Sequence, residues 1–155
     1  MTEYVIVYAY TVNSGNSFIP AILKNKPAYL KGLLNLPGGK LNVGETPVEA
    51  AIRELKEETG LDELSVIDGM CPFSSELMGV IKFDDCVIHC VSVPTIYQDL
   101  NQQAGETEPV DWYDVEELLQ DSKLIPNLRL VVPLMLCGVK GWEIEDHGDG
   151  SFTVK

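Results

Sequence analysis

Gly39-Lys40-Leu41-Asn42-Val43-Gly44-Glu45-Thr46-Pro47-Val48-Glu49-Ala50-Ala51-Ile52-Arg53-Glu54-Leu55-Lys56-Glu57-Glu58-Thr59-Gly60-Leu61 joins a glycine loop to a helix marked at both ends. Thr46 is placed to cap the first turn, Pro47 has its φ preset for the first helical position, and Glu49 completes a capping box. Gly60 supplies the stop, so the spacing predicts a helix from Pro47 to about Thr59. At about 100° per residue, Val48, Ala51, Ile52 and Leu55 share one stripe that must face a core. Glu54, Glu57 and Glu58 form the neighbouring stripe, at i, i+3 and i+4.

Like charges one turn apart cost a helix a few tenths of a kcal/mol per pair, so this stripe asks for a reason. A solvated face softened by Arg53 and Lys56 is the plain reading. The flanking loop supports a second one. Clustered carboxylates are the oxygen ligands that Mg²⁺ or Mn²⁺ prefers, and such a cation neutralises the oxygens of a diphosphate. Gly38, Gly39 and Lys40 would let the backbone approach the same cation or phosphate, with Pro37-Gly38-Gly39 read as a tight turn. One carboxylate would then orient or deprotonate an attacking water.

Working outward, Tyr4 to Val12 and Phe18 to Leu23 are β-rich runs around Asn13-Ser14-Gly15-Asn16-Ser17 and read as an N-terminal hairpin. Pro27 to Gly32 reads as a loop, and Leu33 to Leu36 as a short strand. Leu64 to Met70, Leu77 to Phe83 and Cys86 to Val93 look like strands, the last two a hairpin across Asp84-Asp85. Gln98 to Glu108 is a polar loop. Asp111 to Tyr113 leads into a helical turn, Val115 to Gln120, with Asp114 as its cap. Leu128 to Cys137 has helical spacing and a Gly138 stop, with Pro133 as a kink or first turn. Trp142 to Glu145 and Ser151 to Lys155 read as a closing hairpin. The N- and C-terminal hairpins both offer edges for a homodimer.

The 155 residues fit one domain spanning 1–155. A net charge of −13 argues against a polymeric nucleic-acid partner, which needs clustered Lys and Arg. A small phosphorylated substrate is compatible with that charge if divalent cations mediate contact. No apolar run reaches the roughly 20 residues of a membrane span, and the first residues lack a basic signal region, so the expected compartment is the cytoplasm. Cys71, Cys86, Cys90 and Cys137 have no C-x-x-C spacing, and His89 falls on the strand face opposite Cys86 and Cys90. They read as buried apolar cysteines rather than as disulfide or zinc partners.

The opening segment resembles the Nudix box, G-x5-E-x7-R-E-U-x-E-E-x-G-U with U aliphatic, at Gly39, Glu45, Arg53, Glu54, Leu55, Glu57, Glu58, Gly60 and Leu61. The resemblance implies an α/β fold, a Nudix α/β/α sandwich around a mixed β-sheet with a C-terminal hairpin. The activity it implies is hydrolysis of a nucleoside diphosphate linked to a further moiety. It also implies that Glu54, Glu57 and Glu58 hold Mg²⁺ or Mn²⁺ with the Gly39 carbonyl, one of them activating water. Arg53 and Glu45 would brace the loop against the helix, and Gly60 belongs to the same framework.

Within the family the chain is similar to the MutT-like branch, which acts on nucleoside triphosphates, oxidised guanine nucleotides included. That similarity makes Glu106, six residues before Trp112, a further metal ligand, although it shares its loop with Glu108 and a solvated role is open. Lys24 would lie near the phosphates, or simply end a strand. Asn127 would read the base, or cap the following helix. Cys71-Pro72-Phe73-Ser74-Ser75 faintly resembles a segment of NADH pyrophosphatases. ADP-ribose, NADH or a dinucleoside polyphosphate therefore stand as alternative substrates, and a nucleotide sensor without turnover is the alternative of another class.

Overall fold

The computed structural model describes residues 1–15, 18–64 and 73–155. The elements are β1 (Thr2–Thr11), β2 (Phe18–Leu23), β3 (Leu34–Asn35), β4 (Gly38–Lys40), α1 (Pro47–Thr59), β5 (Glu76–Lys82) and β6 (Cys86–Thr95). After these come β7 (Val110–Asp114), α2 (Val115–Gln120), α3 (Leu128–Leu136), β8 (Trp142–Asp146) and β9 (Phe152–Val154). Among the described residues, the large sheet is ordered β4-β1-β6-β5-β8-β9 and a smaller one β3-β2-β7.

The large sheet is mixed. β1 runs parallel to β6 and antiparallel to β4, and β5 runs parallel to β8. Val5 to Ala9 are buried without a break, the pattern of a strand covered on both faces. Val5, Val7 and Ala9 point to a core shared with Ala51, Leu55 and Leu61 of the α1 side. Ile6 and Tyr8 point to the opposite core, with Ile19, Leu118, Val131 and Met135 from β2, α2 and α3. Helices thus cover both faces, which is the α/β/α sandwich expected from the sequence.

The expected N-terminal hairpin does not form. β1 and β2 lie in different sheets, β2 pairing with β3 and β7. The turn residues were a fair signal for a chain reversal, but a strand apolar on both faces is more stable inside the large sheet than as one leg of a hairpin. With it goes the dimer edge assigned to that hairpin. The β5–β6 and β8–β9 hairpins are present. Asp114 accepts from the Glu117 N–H at 3.1 Å, capping α2 as expected. Most of the expected strand from Leu64 to Met70, with Cys71 and Pro72, lies outside the described residues. Cys90 is buried, but Cys86 is only partly so and Cys137 is exposed, so the uniform reading of the cysteines as buried is wrong for those two.

Candidate active site

α1 begins and ends as its sequence dictates. The Thr46 hydroxyl accepts from the Glu49 N–H at 3.2 Å. Gly60 takes a left-handed φ of 78° and donates its N–H to the Lys56 carbonyl at 3.0 Å. Between these ends Ala51, Leu55 and Thr59 are buried against the sheet. That anchoring fixes the rotation of the helix, and Glu54, Glu57 and Glu58 are turned toward β4 and the 98–108 loop as a result.

Gly38 and Gly39 do not form the expected tight turn. They pair in β4 with Ile6 and Val5, with no left-handed φ at either. They are glycine because of close approach: a Cβ on Gly38 would lie 2.0 Å from the Val5 carbonyl oxygen, and one on Gly39 would lie 2.3 Å from Glu54 Oε1. The Glu54 carboxylate therefore rests directly on the Gly39 backbone, and Glu58 Oε2 accepts the Gly38 N–H at 3.2 Å.

Arg53 fastens this face to the loop before it. Its Nε and Nη2 donate to Glu45 at 2.8 and 2.9 Å, and Nη2 reaches the Lys40 carbonyl at 3.1 Å. Nη1 donates to Glu54 Oε1 at 2.8 Å and to Glu57 Oε2 at 3.4 Å. The bidentate fork uses the planarity that distinguishes arginine from lysine. Arg53 and the Asn42 N–H together hold the Glu45 carboxyl down at about 2. Arg53 and Glu45 are thus the brace the sequence suggested, and Arg53 additionally grips two of the carboxylates. The Lys40 side chain itself is exposed.

The remaining carboxylates are short of positive charge. Desolvation by burial, then the nearby charges of Glu54 and Glu106, raise Glu58 to about 8 against the opposing pull of Gly38 N–H and Lys24. Glu54 is also raised, by desolvation first, with Glu57 and Glu106 adding to it despite Arg53. An all-oxygen donor set with unbalanced negative charge fits a hard divalent cation. Among the described residues no three acidic, imidazole or thiol groups already converge as a cage. Arg53 Nη1 draws Glu54 and Glu57 toward itself instead.

The second wall is the 98–108 loop. Asn101 N–H donates to the Thr59 carbonyl at 2.8 Å and Gln103 N–H to the Glu57 carbonyl at 2.9 Å, so the loop is bonded to the last turn of α1. Gly60 permits this contact, since a Cβ there would lie 2.4 Å from the Asn101 carbonyl oxygen. Trp112 Nε1 holds the start of the loop through the Gln98 carbonyl at 2.8 Å. The charge of Glu106 is felt at Glu54 and Glu58. Asn101, Gln103 and Glu108 were not singled out from sequence. The first two act through backbone atoms, which leave no side-chain signature.

Lys24 and Asn127 are otherwise engaged. Lys24 Nζ pairs with Glu108 Oε1 at 2.8 Å, and Glu108 Oε2 also accepts the Asn25 N–H at 2.7 Å. Asn127 stands just before α3, but its side chain makes no cap bond; it is buried and donates from Nδ2 to Asp146 Oδ2 at 3.2 Å. Its backbone is already in the αR region there, which removes the extended geometry that a capping side chain needs. The NADH-pyrophosphatase-like segment lies partly outside the described residues.

The model of the NUDIX domain matches residues 7–135, which contain the whole carboxylate face. Over 123 residues, 79% of this chain and 43% of the other, the chain is 26% identical to Nudix hydrolase 2 of Arabidopsis thaliana. It is 52% identical over 40 residues to an ADP-ribose pyrophosphatase of Methanocaldococcus jannaschii, covering 26% of this chain and 24% of that one. Over 34 residues, 22% of this chain and 26% of the other, it is 50% identical to the 8-oxo-dGTP diphosphatase of Escherichia coli. The chain thus spans less than half the length of these curated relatives. Among solved structures, the MutT protein of Bacillus halodurans aligns with a TM-score of 0.71 at 17% identity, covering 100% of this chain and 98% of that one. The NUDIX domain of Shewanella oneidensis NrtR, solved with ADP ribose, aligns at 0.63 and 19% identity over 83% and 82% of the two chains. The full-length fold match, the domain match across most of the chain and the complete box agree: this chain belongs to the NUDIX family.

Proposed function

We propose that the protein is a Mg²⁺- or Mn²⁺-dependent pyrophosphohydrolase that cleaves a nucleoside triphosphate, oxidised ones included, to the monophosphate and pyrophosphate. The observation that carries this reading is the carboxylate face of Glu54, Glu57 and Glu58, seated on the Gly38-Gly39 backbone and faced by Glu106. Glu54, Glu57, Glu58, Glu106 and the Gly39 carbonyl would hold the cation. When bound, it offsets the negative charge of the diphosphate and of the oxygens that gain charge as the anhydride breaks.

The chain's own residues do the rest. Arg53 and Glu45 hold the loop so that the Gly38, Gly39 and Lys40 backbone faces the phosphates. One of the clustered carboxylates takes a proton from the attacking water. Water adds to phosphorus and the phosphoanhydride bond breaks, its electron pair leaving with the departing phosphate oxygen. In this reading Lys24 would meet the phosphates on leaving Glu108, and Asn127 would read the base on leaving Asp146.

The test is a nucleotide panel assayed with Mg²⁺ and with Mn²⁺. Pyrophosphate released from a triphosphate supports the proposal. AMP and ribose phosphate from ADP-ribose would replace it with the second reading, which the local match to an ADP-ribose pyrophosphatase and the ADP-ribose-bound NUDIX neighbour favour. Binding without product on every nucleotide would identify a sensor. The substrate is a small nucleotide in each case, and a cytoplasmic monomer or homodimer would suit all three. No helix among the described residues is long and apolar enough to cross a membrane.

A further inference from the structure

Tyr8 carries a buried polar group that the surrounding protein leaves unmet. It stands on β1, faces the α3 side of the large sheet and is only 1% exposed. Among the described residues its hydroxyl has no hydrogen-bond partner. Burying a hydroxyl in that state costs free energy, so the position asks for a reason.

Tyr8 lines a cavity of about 200 Å³. The register of the sheet sets Tyr8, Ser92 and Glu76 abreast on β1, β6 and β5, and all three belong to its lining. Met78 joins them because of a bulge in β5. Leu77 pairs with Val91 and Gly79 with Cys90, which leaves Met78 as the extra residue between them, and a bulge of this kind re-aims a side chain. Met135 at the end of α3 supplies the opposite wall. The chain leaving α3 is bonded down beside it, Gly141 N–H donating to the Met78 carbonyl at 2.7 Å and Trp142 Nε1 to the Val139 carbonyl at 3.0 Å. The charged residues of the lining are Glu76 and Lys140, and they are paired with each other at 2.8 Å in a partly exposed bridge.

These features select one class of occupant. The volume falls below the roughly 300–1,000 Å³ of sites for drug-sized ligands, so a single ring fits and a whole nucleotide does not. The thioethers of Met78 and Met135 favour contact with an aromatic ring. With its two charges already paired, the lining offers no counter-ion to an ionised ligand. Burial keeps the Tyr8 phenol protonated, so it has an O–H to donate.

We propose that this cavity is a second small-molecule site, which takes a neutral single-ring aromatic compound whose carbonyl oxygen or ring nitrogen accepts the Tyr8 hydroxyl. It lies across the sheet from the carboxylate face, since Val5 and Val7 point to α1 whereas Tyr8 points to α3. Its occupant therefore leaves the nucleotide's place free, and the inference stands independently of the hydrolase reading.

Benzamide, a neutral ring with one carbonyl acceptor, is the probe, with benzoate as its charged counterpart and toluene as the counterpart without an acceptor. Each is titrated into metal-free protein and followed by amide chemical shifts in two-dimensional NMR. Benzamide is expected to give saturable shifts at Tyr8, Ser92 and Met135 and none at Glu54, Glu57 or Glu58. Benzoate and toluene are expected to bind at least about threefold more weakly. Tyr8→Phe keeps the ring and the fold, and is expected to weaken benzamide about three- to tenfold, the scale of one hydrogen bond, while leaving toluene unchanged. Absence of any saturable shift would show that the cavity holds water alone. Shifts confined to the carboxylate face, benzoate or toluene binding as tightly as benzamide, or undiminished benzamide binding in Tyr8→Phe would each overturn the proposal. So would loss of the native fold in Tyr8→Phe, because the hydroxyl would then be holding the protein together rather than awaiting a ligand.

Discussion

The two walls of the carboxylate site are held in place by different physics. On the α1 side, side chains do the holding: Glu45, Arg53, Glu54 and Glu57 form one charge-assisted network, with the Lys40 carbonyl tied in. On the loop side the anchors at α1 are backbone groups, Asn101 to Thr59 and Gln103 to Glu57, with Glu108 closing the far end on Lys24. A side-chain network fixes residue identity at every node, whereas a backbone bond accepts almost any residue that can adopt the conformation. The first wall is accordingly suited to carry the chemistry common to a family, and the second is free to vary with substrate.

The comparison breaks most sharply at Glu57. It belongs to the α1 wall, is partly exposed and has only a long contact to Arg53 at 3.4 Å, so glutamine there disturbs little of the structure. Glu57→Gln is expected to leave folding intact and to reduce kcat on the order of a thousandfold or more, several kcal/mol of lost charge stabilisation. Full activity in that variant, on whichever nucleotide the panel identifies, would remove the carboxylate face from the mechanism.

Gly60 is where the walls meet, and it serves both. Alanine there would be strained by the left-handed φ of 78° and would place its Cβ 2.4 Å from the Asn101 carbonyl oxygen. A cost of about 1–3 kcal/mol is expected from the backbone alone. Denaturant melts read the loss of stability, and amide hydrogen exchange reads its location. Exchange at Asn101 and Gln103 should accelerate more than in the middle of α1. Uniform acceleration across both would mean that the loop and the helix open as one unit.

The same contrast explains what the sequence disclosed. α1 was legible to the residue, because Thr46, Pro47 and Gly60 each leave a local mark and the apolar stripe confirms the period. The brace of Arg53 on Glu45 was legible through the family pattern. The glycine pair was noticed for the wrong physical reason: Gly38 and Gly39 avoid collisions in a strand rather than bend a turn, and a collision depends on what the rest of the fold brings near. β1 was misassigned to a hairpin because its partner β6 lies some eighty residues away, and parallel pairing has no local turn to announce it. Glu106 and Glu108 are both acidic residues of one polar loop, and only the MutT-like resemblance set Glu106 apart; the pairing of Glu108 with Lys24 depends on the chain's path and has no local mark. Asn127 kept its position before α3, but its side chain bonds Asp146 of the C-terminal hairpin instead of capping the helix.

Charge within the α1 wall gives the smallest effect and the most direct sign test. Glu45, inside the Arg53 network, and Glu58, outside it, are driven in opposite directions. Glu45 is held down at about 2, against about 4.3 in an unfolded chain. Its contribution to stability is therefore present above about 4.3 and is lost as pH falls through about 2. Glu58 is raised to about 8, so between about 4.3 and about 8 the folded protein holds a proton that the unfolded chain has released. Stability from this group is full below about 4.3 and declines as pH rises through about 8. In protein stripped of metal, Glu58→Gln should have a melting temperature that rises relative to wild type from pH 5 to pH 9. Saturating Mg²⁺ or Mn²⁺ should stabilise wild type more than the variant and close or reverse that gap, because the cation then compensates the charge that burial leaves unmet. A difference between the two proteins that stays constant with pH would show that Glu58 is not short of positive charge, and the asymmetry between the brace and the carboxylate face would lose its electrostatic basis.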